Sequence, residues 1–313
     1  MLTWANAVME AEEKEVSDPQ SSTVNSLENP LQQIRLARCA HRPIVLGKTG
    51  YENSYGLGWF RHMLPSRYIS SIGPNISLLL DPPVINQRGP PRLAIARWGS
   101  FGGFLSTFYT FPDTRSAIIV MANCNGAKGD PTGLIAQGLC QELYNMKPRI
   151  DLEAYARLAA YNSSLVWDEL VQEWVRNRVP NTRCPLLDNF TGTYVNTGLD
   201  ITIRVTKIAE HDAKHEPNPE LLSFSVNSLP RQSAKLRHYH YDTWTFLPNS
   251  RDDAARKGMT GFFKLPRLLL SFIRNDSGRV FHLDWDLQVG SYEGLPLKFD
   301  YPVLPIRFLR AEG

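Results

Sequence analysis

The sequence lacks any paired-cysteine signature. Its four cysteines, Cys39, Cys124, Cys140 and Cys184, are widely spaced and form no Cys-x-x-Cys, so neither a disulfide framework nor a cysteine zinc site is indicated, and reduced structural thiols are expected. Long hydrophobic runs are missing too. The longest, Ala117 to Ala122, is far short of the roughly 20 residues that cross a bilayer. The opening Met1-Leu2-Thr3-Trp4 has no basic stretch leading into an apolar core, so no secretory signal is read and a cytoplasmic location is expected. The sequons at Asn75, Asn162, Asn189 and Asn275 then carry no expectation of glycans. Charge of one sign is also scarce: 34 basic against 31 acidic residues leave +3. That balance argues against nucleic acid or a membrane surface as partner and for a small-molecule substrate or ligand; it says nothing of oligomeric state.

What is present is enough apolar material for two cores, since 42% of the 313 residues are hydrophobic. Residues 1 to 14 carry Leu2, Ala5, Val8 and Met9 on one helical face, without an N-cap or a preceding loop. Residues 15 to 45 are polar and rich in Ser, Pro and Asn, which suggests a loose surface connection. Strand-like runs follow at Arg92 to Gly99, Gly103 to Phe111 and Arg115 to Ala122, with Pro112-Asp113 as turn chemistry, and predict an antiparallel sheet. Residues 132 to 145 and 151 to 177 have helical spacing and are expected to pack on it. The proline-bearing stretch Val179 to Pro185 lacks periodicity, so the boundary is placed there: one domain over residues 1–185 and a second over 186–313.

Beyond it helices vanish from the pattern. Strand-like segments appear at Thr191 to Val195, Asp200 to Lys207, Leu221 to Asn227, Ala234 to His240, Asp242 to Leu247, Gly261 to Lys264, Arg267 to Arg274 and Arg279 to Trp285, which predicts an up-and-down barrel or sandwich. The fold class is therefore α+β, an antiparallel sheet with flanking helices followed by an all-β domain.

The most specific local signal is Tyr55-Gly56-Leu57-Gly58-Trp59-Phe60, followed by Arg97-Trp98-Gly99-Ser100-Phe101-Gly102-Gly103-Phe104 and the apolar strand Ala117 to Asn123. Over residues 1 to 145 these motifs resemble the β-lactamase and penicillin-binding type of serine hydrolase (peptidase S12 type). There a Tyr-Gly-Leu-Gly-Trp entry precedes an active-site edge strand bearing Lys-Thr-Gly or His-x-Gly. The tail, opened by Asn189-Phe-Thr-Gly-Thr-Tyr-Val195 with Asp242 to Leu247 and His282 to Trp285 deeper in, is similar to the lipocalin-like barrel of some members, fungal ones above all.

The resemblance implies attack by Ser on an ester, amide or lactam carbonyl, an acyl-enzyme, and transfer to water or another acceptor, with no metal or organic cofactor. That chemistry needs a Ser with a Lys three residues later on one helical turn. No Ser of this chain has one; Ser233-Ala234-Lys235 misses by a residue. In the family, that motif and the catalytic Tyr motif precede the segment that Leu2 to Met9 resembles, so the chain is expected to lack its nucleophile segment and to hold no catalytic residue. Substrate binding falls to Arg97, Trp98, Gly99 and Ser100. Arg97 stands where the family has Lys or His, able to hold a carboxylate but not to accept a proton near neutral pH. The Ser100 N–H stands by position as an oxyanion donor. Loss of the nucleophile costs on the order of 10⁶ in kcat, so such donors cannot sustain turnover. The less favoured alternative is that residues 92 to 104 are merely an edge strand with a Gly bulge and no chemistry.

Other motifs are weaker. Lys48-Thr49-Gly50 and Tyr51-Glu52-Asn53 spell family motifs, but ahead of Tyr55 and adjoining, in the wrong order. Gly47-Lys48-Thr49 lacks the upstream phosphate-loop glycine, which is Arg42, and Trp98-Gly99-Ser100-Phe101-Gly102 lacks the first glycine of a nucleophile elbow. His238 and His240, like His282 and Asp284, alternate along strands and could share a face around a metal, although Tyr239, Tyr241 and Trp244 better suit an aromatic barrel wall. A non-catalytic binding protein, using Arg97 or the barrel interior for a small acidic or apolar ligand, is the competing reading.

Overall fold

The computed structural model describes residues 1–18, 30–44, 53–67, 69, 78–79, 81–101, 103–124, 129–208, 219–259, 264–287 and 304–311. Lys48-Thr49-Gly50, Asn75, Gly102 and most of the strand expected at Gly261 to Lys264 lie outside the described residues. Chain contacts form two compact units, one built on Met1–Leu165 and the other beginning at Val166.

The first unit is a six-stranded antiparallel meander in sequence order: β1 (Arg42–Pro43), β2 (Asn53–Tyr55), β3 (Phe60–Leu64), β4 (Arg92–Phe101), β5 (Phe104–Phe111) and β6 (Ser116–Ala122). The expected sheet of residues 92 to 122 is its longer-stranded half, and β1–β3 extend it beyond β4. Helices α1 (Leu2–Ser17), α2 (Ile34–Arg38) and α3 (Pro131–Leu143) flank it. α3 starts where Asp130, in extended backbone, accepts the Thr132 N–H, and Pro131 occupies the first turn, where its missing N–H costs nothing. Ala136 and Cys140 of α3 then join Ala94, Ala96, Tyr109, Phe111 and Ile118 in one buried cluster. This fixes the two faces of the sheet: Ala94, Ala96 and their same-face partners look toward α3, and their chain neighbours look the other way. Burial in that cluster pushes the Cys140 thiol up to about 12, so it is an inert core group.

Helix α4 (Leu152–Asn177), opened by Asp151 accepting the Ala154 N–H, runs through the division at Leu165 and Val166. In the second unit, β7 (Gly192–Asn196), β8 (Ile201–Lys207), β9 (Glu220–Val226), β10 (Ser233–His240), β11 (Thr243–Thr245), β12 (Leu269–Arg274), β13 (Val280–Trp285) and β14 (Ile306–Arg310) close into an eight-stranded antiparallel barrel, with α5 (Arg251–Arg256) after β11. The barrel is closed by β14 pairing with both β13 and β7, a strand that the sequence pattern did not reveal. Its interior is filled by Phe190, Tyr194, Trp244, Phe272, Leu283 and Phe308, all nearly or fully buried, as expected of a small barrel whose side chains meet at the axis.

Among the described residues, no helix is long and apolar enough to cross a membrane, and the four cysteines are free.

Candidate functional site

β4 pairs with β3 from Arg92 to Ala96 and with β5 from Ile95 to Phe101. β3 begins only at Phe60, so Arg97–Phe101 has a strand on one side alone among the described residues. Next to that open side comes the turn that the Tyr-Gly-Leu-Gly-Trp motif builds. Gly56 donates its N–H to Trp59 O at 2.7 Å, and Leu57 N–H donates to Ala37 O at 2.8 Å. The glycines have separate reasons. A Cβ on Gly56 would lie 2.6 Å from Ala37 O and 2.7 Å from Cys39 O, whereas Gly58 sits at φ +85°, a conformation that side chains resist.

The register sends the candidate residues to opposite faces. Arg97 stands opposite Phe108 and Gly99 opposite Ser106, while Trp98 stands opposite Thr107. Trp98 is turned to the α3 side, where its Nε1 donates to Asp130 Oδ2 at 3.1 Å, and Thr107 Oγ1 meets Thr132 Oγ1 at 2.9 Å. Arg97 is exposed on the other side and donates from Nη1 to Gly58 O at 3.1 Å. Gly99 leaves bare backbone over the Ser106 hydroxyl, which a Cβ would approach to 2.8 Å. Ser100 is exposed. Of the four sequence-derived positions, Arg97 and Gly99 thus share one face, Ser100 lies at the solvent end of the strand, and Trp98 is an anchor from behind.

The Arg97 face is bounded by aromatic rings. The Trp4 and Trp59 rings stack 5.8 Å apart, and both touch Phe108, at 5.3 and 5.7 Å. Below them lies a residue that no motif or spacing singles out. Arg38, in the stretch expected to be a loose connection, is the last residue of α2 and has 0% exposure. Its Nε is 3.0 Å from Glu12 Oε2, its Nη2 donates to Thr110 Oγ1 at 2.8 Å, and its guanidinium lies 4.8 Å from the Trp59 ring centre. Burial raises the Glu12 pKa despite the nearby guanidinium, and burial lowers that of Arg38; both directions express desolvation of a pair held together by its Coulomb attraction. On the opposite face, His62 is buried with Nδ1 2.9 Å from Asn53 Oδ1, and desolvation brings its pKa down to about 3. It is a neutral core imidazole.

In the barrel, a bulge between His238 and His240 breaks the alternation expected of that pair. His238 packs edge-on to the interior Trp244 and its Nε2 meets Tyr241 O at 2.9 Å, while His240 Nδ1 accepts the Val179 N–H at 3.2 Å. His282 and Asp284 do share a side of β13, with Nε2 to Oδ1 at 3.5 Å. Among the described residues no group of three or more His, Cys, Asp or Glu could hold a metal ion. A cleft of about 350 Å³ lies on the second unit, between the end of α4 and strands β10, β12 and β13.

No protein-family model and no curated protein matches the chain. Solved structures similar to it include SurE with D-Leu, at 15% identity over 90% of this chain and 44% of that one, with a TM-score of 0.23. They also include the octameric penicillin-binding protein homologue from Pyrococcus abyssi, at 12% identity over 88% and 41%, with a TM-score of 0.25. The chain spans less than half the length of these solved structures. At such TM-scores the superpositions establish no common fold.

Proposed function

We propose that the first unit carries the substrate-anchoring rim of a serine-hydrolase-like acyl-transfer site, of the β-lactamase-related kind, and that this chain by itself does not turn over. The observation that carries this reading is the alternation on β4: Arg97 and Gly99 point to one face beside an open strand edge, and Trp98 is held from behind by Asp130. A cationic side chain and a bare glycine two residues apart on a one-sided strand are what a carbonyl substrate with a carboxylate needs. The guanidinium can take the carboxylate in two parallel hydrogen bonds, and backbone donors near Ser100 can meet the carbonyl oxygen. The Trp4, Trp59 and Phe108 rings would offer the acyl group an apolar wall.

The nucleophile is not among these groups. No Ser of the chain has a Lys three residues on, and by the resemblance that motif belongs before the segment like Leu2 to Met9. The rim would then gain its opposing wall and its chemistry from a longer product. Treating this chain with a fluorophosphonate and weighing it intact tests the reading: no adduct is expected, whereas the product extended upstream to a Ser-x-x-Lys should label on that Ser. Stoichiometric labelling of the present chain with ester turnover would overturn it.

A second reading, small-molecule binding without catalysis, finds support in the cleft of about 350 Å³ on the outer side of the barrel.

A further inference from the structure

The sheet of the first unit ends at β6, which pairs with β5 and, among the described residues, with no other strand. Its edge is undefended. Ser116–Ala122 has no charge, no proline and no break in register, the devices by which natural proteins keep a strand edge from pairing. A second observation lies on α3, which packs over β5 and β6 and runs back along them: Thr132 in its first turn meets Thr107, which stands opposite Val120, and Tyr144 at its end meets Thr114 just before β6. One flank of α3 is covered. Gln141 accepts the Ile150 N–H at 2.7 Å, and Lys147 O, in the same connection, accepts the Arg88 N–H at 3.2 Å on the side from which β4 enters. The opposite flank, toward the β6 edge, carries Ile135, Leu139 and Leu143 at successive turns, 51%, 46% and 51% exposed. Met121, on the other face of β6, is 64% exposed, so the bare edge has apolar side chains above and below it. Glu142, a neighbouring charge on α3, is already paired with Arg149.

From this we infer that two copies of the chain associate through β6, the edges pairing antiparallel about a twofold axis and the two α3 stripes packing across it. Symmetry selects this occupant. Identical strands laid antiparallel supply each other's free N–H and C=O groups. With the axis at the middle of β6, both α3 helices lie on the same face of the joined sheet, and Leu139, midway along the stripe, meets its own mate. A partner chosen by charge would find none to read in Ser116–Ala122 or in the stripe. The contact is modest in size. A strand of this length runs about 24 Å and the sheet with its helix stands about 20 Å high, so the two copies together bury about 1,000 Å², near the lower limit of a specific interface. The dimer therefore dissociates on dilution, and because the contact is self-complementary it closes at two copies. Nothing in it depends on the acyl-transfer reading.

Sedimentation velocity of the full chain, from micromolar concentrations upward, is expected to show a monomer–dimer equilibrium and no larger species. Leu139→Glu and Leu139→Lys each set like charges across the axis and should weaken the dimer by about tenfold or more, whereas an equimolar mixture of the two variants should restore it as a heterodimer. Leu139 is half exposed, so both variants should keep the wild-type circular dichroism and Tm. Hydrogen exchange supplies a readout that needs no variant: in the wild type, amides of alternate β6 residues should exchange more slowly as concentration rises. A chain that stays monomeric at the highest concentration, growth beyond two copies, or a dimer in which β6 exchange does not respond would each overturn the inference. So would a dimer that both variants leave unchanged, or a mixture of the variants that stays monomeric.

Discussion

Trp98 and Asp130 are joined by a 3.1 Å hydrogen bond from the indole Nε1 to Oδ2, and the other oxygen of the same carboxylate accepts both the Thr132 N–H and its hydroxyl. One buried side chain thus caps α3 and fixes the back of the strand whose front bears Arg97. Removing it should affect both. Asp130→Ala is expected to lower stability by about 2–3 kcal/mol, the sum of an N-cap and a buried hydrogen bond to a charged group. Asp130→Asn, which keeps one acceptor, should lose less. Urea unfolding measures both; equal losses would show that the carboxylate has no special part.

Glu12 and Arg38 form the second long-range tie. Glu12→Ala leaves the buried guanidinium without its counter-charge and should cost about 3–5 kcal/mol. The double change Glu12→Leu with Arg38→Met should recover most of this, because it removes both charges and their desolvation together. A double variant as unstable as the single one would contradict the pairing.

His62 gives a pH dependence whose sign is fixed by its burial. The folded imidazole has its pKa lowered to about 3 from 6.5, so between those values the unfolded chain binds a proton that the folded chain does not. Stability therefore rises with pH and falls as pH drops below about 6.5, by about 2 kcal/mol at pH 5 from this residue. Comparing unfolding free energies at pH 7 and pH 5, His62→Gln should show a smaller drop than the wild type; identical drops would count against a neutral buried His62.

Gly56→Ala tests the motif turn. The added methyl would meet two backbone oxygens at the end of α2, neither of which can swing aside, so a loss of about 1–3 kcal/mol is expected from overpacking. A neutral outcome in thermal or urea unfolding would mean that α2 is displaced at little cost.

Long elements were legible in the sequence because their periodicity outlasts local noise. β4 to β6, α3, α4 and seven of the barrel strands or their neighbourhoods were visible as alternation or helical spacing. β1 and β2, with two and three residues, are too short to show a period. β14 reads Ile-Arg-Phe-Leu-Arg with Phe308 alone fully buried, and its role appears only when the barrel closes. Arg38 was invisible for another reason. An arginine in a polar stretch is ordinarily solvated, and this one is buried by Glu12, Trp59 and Thr110, which are distant in sequence. At the candidate site the motif spacing pointed to Arg97 through Ser100, but not to the aromatic wall, since Trp4, Trp59 and Phe108 belong to three separate elements.

The most direct test of the anchoring rim is an amide chemical-shift titration with N-acetylglycine, which carries one carboxylate and one acyl carbonyl. Saturable shifts centred on the Gly99 and Ser100 amides, lost in Arg97→Ala and retained in Trp98→Phe, are the predicted result. Shifts that persist in Arg97→Ala, or that fall only on other parts of the chain, would contradict it.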